Sequence, residues 1–193
     1  MKYVLVFFLA FVGCTSDGQK QKDLEQILTI LLDDADDFTS SYTRDYATKK
    51  FVIGKLSKDH RDFQRVLNLD WESKYETHVP KGEEWKELVS EAIDIKNEND
   101  LIFKLGQVGE FFLISIQESD KLSDKDIDGV ISFSDVAFDI DRSKAVIYVA
   151  FLCGGECGYG NLYFLSKDNQ DWKVVGERGF WISIKQKLLA LPT

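Results

Sequence analysis

The chain has 193 residues, with 33 acids against 24 Lys and Arg for a net charge of −9; 44% of residues are apolar and 13% aromatic. That apolar share is close to the globular norm and excludes wholesale disorder. Two prolines leave no proline-rich linker, and the acidic balance excludes nucleic acid as a partner, because phosphate binding needs clustered basic side chains.

At the N-terminus Lys2 is followed by an uncharged, largely apolar run over 3–13 that ends in Gly13-Cys14. About 20 apolar residues are needed to cross a bilayer, so this run is too short for a permanent span. A positive start, a short apolar stretch and a small residue before the cut make a secretory signal. Ending on Gly13-Cys14, it resembles the lipobox of bacterial lipoprotein signals. The resemblance implies a signal peptide over 1–13 and Cys14 as the acylated, palmitate-bearing first residue of a lipoprotein held to the bilayer on the periplasmic or surface face of a bacterial cell envelope. Ordinary secretion, with Cys14 inside a longer signal, is the other reading. Residues 14–23 are polar and contain Gly18, the composition of a flexible tether, and 24–193 then form one globular domain.

Leu24, Ile27, Leu28 and Leu31 fall at helical spacing and predict a helix over 20–34. Asp33, Asp34, Asp36 and Asp37 follow as an acidic run that opposes the macrodipole at a helix C-terminus, and they are expected to form a solvated helix end. Residues 39–58 read as irregular, with a short strand or helix at 51–53. A second helix is expected over 59–75, from Phe63, Val66, Leu67 and Trp71. Pro80 and Gly82 break the chain, and Glu83-Glu84 lead a third helix with Trp85, Leu88, Val89, Ala92 and Ile93 on one face.

From Leu101 the texture changes. Segments 111–116, 130–138, 145–153, 161–166 and 172–184 are rich in β-branched and aromatic residues, and turn signals separate them at 119–129, 139–143, 154–160 and 167–171. Helices before strands with short connections predict an α+β fold, N-terminal helices packed on one face of a curved antiparallel β-meander. Nuclear-transport-factor-like and cystatin-like folds offer an analogy for that layout.

The stretch 129–183 contains ISFSDVAFDIDRSKAVIYV, then CGGECGYGNLYFLSK, DWKVV and WIS. It resembles the C-terminal block of a family of uncharacterised bacterial secreted proteins and lipoproteins. The resemblance implies strands at these positions and an envelope address; it implies no activity.

Several kinds of chemistry were weighed along the chain. Residues 124–135 place Asp124, Asp126 and Asp128 at positions 1, 3 and 5 of an EF-hand-like loop, Gly129 at 6 and Asp135 at 12. Calcium would be held there by those four carboxylates and the Val130 carbonyl. The strand-like flanks favour a polar turn whose aspartates cap backbone amides, so the expected cofactor is none. His60 and His78 have no nucleophile elbow to serve, and with Cys153 and Cys157 they match no zinc module. Cys153 and Cys157 are the two cysteines left after Cys14. An exported chain oxidises its thiols, and the glycines between them let the chain turn back, so they are expected to form a disulfide, displaying Glu156 and Tyr159 at one end of the sheet. Trp71, Trp85, Trp172 and Trp181 lie in amphipathic patterns as core or core-edge residues. Two functions are consistent with these features: a non-catalytic envelope module that binds a protein, glycan or small ligand, and a small enzyme with its site in the cup of the sheet, marked by His60 or His78 beside a buried carboxylate.

Overall fold

The computed structural model describes residues 15–42, 49–54, 56, 71, 78–94, 106–115, 127–153 and 157–183. The segment 1–13 expected to be a signal, Cys14 and nearly all of the helix expected over 59–75 lie outside them. Within them the chain is α+β: α1 is Thr15–Tyr42 and α2 is Glu83–Ile93. The strands are β1 (Lys50–Gly54), β2 (Gln107–Val108), β3 (Phe111–Ile114), β4 (Gly129–Phe133), β5 (Ala137–Phe138), β6 (Lys144–Leu152), β7 (Gly158–Asp168) and β8 (Asp171–Ser183). One mixed sheet runs β2-β3-β1-β4-β6-β7-β8, with β5 beside β6.

The antiparallel part is the one the sequence pattern predicts. β6, β7 and β8 pair over their full lengths. Asn169 and Gln170, both with positive φ, make the two-residue turn between β7 and β8, a geometry that matches the twist of the flanking strands. At the β5–β6 corner the Asp139 carboxylate accepts from the Ser143 and Lys144 amides and the Ser143 hydroxyl.

Four features differ from expectation. First, β1 is a strand inserted in parallel between β3 and β4, so this half of the sheet is not a meander. Second, 130–138 is two strands rather than one. The chain breaks after Phe133, and Ser134, wholly buried, bridges the gap: its N–H donates to the Tyr148 carbonyl, and its hydroxyl oxygen accepts from the Tyr148 N–H at 2.8 Å in place of a backbone carbonyl.

Third, α1 extends in both directions. Residues 15–23 are helical and not a tether. The Asp23 carboxylate is buried against β7 and β8, accepting from Lys167 Nζ at 2.7 Å, Gln19 Nε2 at 3.0 Å and Trp172 Nε1 at 3.2 Å. Burial alone would push Asp23 up; these donors, Lys167 foremost, hold it below its ordinary value. At the other end the acidic run sits inside the helix, and Asp36 is buried and paired with Lys49, which also reaches Glu110 at 3.4 Å and lies over the Phe111 ring.

Fourth, the two helices lie on opposite faces of the sheet. Side chains alternate along a strand. Ile147, Val149, Tyr163 and Leu165 join Leu24, Ile27, Leu28, Leu31, Leu32 and Ala35 of α1 in one core. Val146, Tyr148, Leu162 and Phe164 join Trp85, Leu88, Val89, Ala92 and Ile93 of α2 in the other. The apolar stripe read for α2 is therefore all core; Glu83 and Glu84 occupy its first turn, where they complement the macrodipole. Trp71 stands edge-on to Phe164 in this second core, with ring centroids 6.1 Å apart.

Candidate functional site

On the α1 face, the C-terminal half of the helix passes over the far end of β7 and β8. Because 31, 34 and 38 share one side of a helix, exposed Asp34 and half-buried Phe38 extend the side that carries Leu31 and reach β7. Alternation along β7 sends Tyr159, Asn161 and Tyr163 up to the same side. Tyr163 Oη donates to Asp34 Oδ2 at 2.5 Å, and Tyr159 Oη to the same oxygen at 3.2 Å. Asn161 Nδ2 donates to Tyr163 Oη at 3.3 Å. Phe38 stands edge-on to Tyr159, with centroids 5.0 Å apart.

Burial first, and neighbouring negative charge second, push both phenols well above their ordinary range. They stay protonated at any physiological pH and act as hydrogen-bond donors to Asp34.

β8 forms the other wall. Between Gly160↔Trp181 and Asn161↔Gly179 the register shifts by one residue, leaving Phe180 as a bulge. A second bulge lies one turn of the ladder away, where Phe164↔Gly176 gives way to Leu165↔Val174. Bulges bend and twist an edge strand, and here they curve β8 around the helix. Gly160 makes room for one result of that bend: a Cβ there would lie 2.1 Å from Trp181 Nε1 and 2.4 Å from Tyr148 Oη, so Trp181 folds over the α2 face and donates to Tyr148 Oη at 3.3 Å. Gly179, facing Asn161, leaves open the space a side chain would fill.

The outcome is a groove of about 650 Å³ bounded by Asp34, Asp37 and Phe38 of α1, Tyr159 and Asn161 of β7, and Glu177, Gly179, Phe180, Trp181 and Ile182 of β8. That volume lies inside the range of small-molecule sites. Its walls combine carboxylate, phenol, amide and apolar side chains.

The residues singled out in the sequence fall elsewhere or play other roles. Cys153 and Cys157 form the expected disulfide, Cα atoms 5.1 Å apart, and the Cys153 amide donates to the Cys157 carbonyl at 3.0 Å. It does not display Tyr159, which is 4% exposed and turned toward α1; Glu156 lies outside the described residues. Of the calcium pattern, Asp124 and Asp126 also lie outside. Asp128 is buried, its carboxylate accepting from the Lys50 amide at 3.1 Å, and its own N–H donates to the Lys50 carbonyl. It therefore caps the β1–β4 pairing, as the polar-turn reading expected. Val130 lies within β4, and the five extended residues of β4 separate Asp128 from Asp135, about 3.3 Å each, so 128–135 does not wrap as a calcium loop does. His60 is outside the described residues. His78 is exposed, and its carbonyl accepts from the Glu177 amide across the α2 face, so it is not at the groove.

Asp34 and its tyrosines were missed. The available signal was positional: an acid three residues after Leu31 and four before Phe38 shares their side of the helix and can reach a neighbouring strand. No family model matches the chain, and no curated protein or solved structure matches it.

Proposed function

We propose that this protein is a non-catalytic binding module of a bacterial cell envelope, lipid-anchored through Cys14, that holds a small ligand or an exposed side chain of a partner in the groove between α1 and β7–β8. The groove itself carries the reading. It is large enough for a ligand, and one of its carboxylates, Asp34, is engaged by two protonated phenols, an arrangement suited to shaping a wall. An enzyme would be expected to place a base beside a nucleophile, and here His78 lies on the opposite face.

Attachment is assigned to acyl chains on Cys14 because the apolar run over 3–13 ends in the lipobox-like Gly13-Cys14; among the described residues no helix is long and apolar enough to cross a membrane. The resemblance of the 129–183 block to bacterial secreted proteins and lipoproteins supports that address. Asp34 stands nineteen residues beyond Thr15, the first residue of α1, about 28 Å along the helix axis, a separation that would keep the groove clear of acyl chains carried on Cys14.

Two experiments test the parts separately. Cells labelled with a palmitate analogue should transfer label to the wild type and not to Cys14→Ser; equal labelling removes the anchor. Small aromatic fragments screened by ligand-observed NMR should bind the wild type and lose binding in Gly179→Leu, which fills the groove. Hits indifferent to that substitution remove the groove.

A further inference from the structure

The groove lies at one end of the sheet, and the opposite end gathers three parts of the chain. β6 runs antiparallel to β7 with Lys144 opposite Ser166, so the β5–β6 turn and the β7–β8 turn sit side by side. The Lys167 amide donates to the Ser143 carbonyl at 2.8 Å, and Phe138 stands edge-on to Trp172. The N-terminal part of α1 comes to the same place, because Lys167 and Trp172 hold Asp23. Thr15 lies eight residues before Asp23, about 12 Å along the helix axis in the direction away from the groove. Cys14 immediately precedes it in the chain.

At this end stands Ile140, 98% exposed. Exposed apolar residues scattered over a surface are ordinary, but this one occupies a turn. The Arg142 amide donates to the Asp139 carbonyl at 3.1 Å, so Ile140 and Asp141 are the central pair of a β-turn, and Arg142 follows with φ 52°. Gly, Pro, Asn, Asp and Ser dominate such turns for local backbone reasons that a β-branched apolar side chain does not supply. The three hydrogen bonds accepted by the Asp139 carboxylate also stiffen the turn. An apolar side chain is thus held outward on a rigid tip, beside the entry of the chain into α1. Exposed charges around it are mixed in sign: Lys20, Lys22 and Lys173 against Asp141, Asp168 and Asp171, with Lys173 paired to Asp168 at 2.8 Å. The acidic run from Asp33 to Asp37 is at the groove end. A bilayer repels a wholly acidic surface and repels a mixed one far less.

We infer that the β5–β6 turn is a second membrane contact: on the reading that Cys14 is acylated, Ile140 enters the boundary between lipid headgroups and acyl chains. The anchor commits this end to the bilayer, and an apolar side chain gains by leaving water there. Two contacts, one covalent and one apolar, fix the tilt of the domain, so that the groove opens away from the membrane toward whatever it binds.

The test places a fluorescent NBD label at Ile140→Cys or, as the control, at Ile182→Cys, which is 64% exposed at the groove end. Cys153 and Cys157 are bonded to each other, and an acylated Cys14 leaves the introduced thiol as the reactive one. Each full-length chain is purified from membranes, its N-terminal peptide is weighed, and it is reconstituted in phosphatidylcholine vesicles with and without a shallow doxyl-lipid quencher. The label at 140 should shift to the blue and lose about half its emission to the quencher, as a group about 5–10 Å deep would, while the label at 182 is unchanged. Because the label is itself apolar, amide hydrogen exchange is followed in the unlabelled chain, and it should slow over 139–143 on vesicles and not over 177–182. With an acylated N-terminal peptide, quenching at 140 no greater than at 182, or exchange over 139–143 indifferent to vesicles, overturns the contact and leaves the anchor standing. An N-terminal peptide without acyl chains overturns both.

Discussion

The two faces of the sheet are built on different principles. The α2 face is held by apolar packing: Trp85 edge-on to Phe164, with Leu88, Val89, Ala92, Val146 and Leu162 around them. The α1 face has an apolar stripe too, but its helix is also pinned by three aspartates to five side chains: Asp23 to Lys167 and Trp172, Asp34 to Tyr159 and Tyr163, and Asp36 to Lys49. An apolar layer closes over itself. Two of these aspartates, Asp23 and Asp36, are buried, while the third, Asp34, borders the groove.

The difference is sharpest in how each face responds to substitution. Phe164→Ala should cost the most, about 4 kcal/mol, because a buried ring leaves a cavity as well as lost burial. Urea unfolding at pH 7 and at pH 5 should give the same loss, since the described residues packed with the ring in its cluster include no carboxylate or imidazole. Asp23→Ala should cost about 3 kcal/mol at pH 7 by leaving Lys167 buried without its partner. That loss depends on pH. An acid whose folded pKa lies below its unfolded value of about 3.9 stabilises the fold above that value, and the contribution disappears as pH falls through the folded pKa. The cost of Asp23→Ala should therefore shrink below about pH 4, and a pH-independent cost would mean that Asp23 acts by packing alone.

Smaller effects refine the comparison at the end of the sheet. Gly160→Ala should cost about 2 kcal/mol by pushing Trp181 off its seat against Tyr148, read as a red shift and increased quenching of tryptophan emission. Removing the Cys153–Cys157 bridge with a double serine substitution should cost only about 1–2 kcal/mol, because so short a loop constrains the unfolded chain little. A larger loss would show that the bridge also orders the turn between β6 and β7.

Strands β6 to β8 were legible because each is a β-rich run bounded by turn residues, and neighbours in sequence are neighbours in the sheet. β1 was not, because Phe51, Val52 and Ile53 pair in parallel with chain some sixty and eighty residues away, and nothing local marks such a partner. The end of α1 was misread for a physical reason. Asp33 to Asp37 look like a stop signal while only the macrodipole is considered, yet Lys49, Tyr159 and Tyr163 supply partners that outweigh it. The same long-range pairing hid the groove: its acids are in plain view in the sequence, but the phenols and the bulged strand that make them a wall arrive more than a hundred residues later.

The account depends most on the claim that ligand chemistry belongs to the α1 face. The direct test is a map of amide ¹H–¹⁵N shifts during a titration with benzyl alcohol, a small aromatic fragment. The account predicts shifts concentrated at Asp34–Phe38, Tyr159–Asn161 and Glu177–Ile182, with α2 and Val79 unmoved. Shifts centred on α2 or on the His78–Pro80 crossing, with Asp34–Phe38 unaffected, would contradict it.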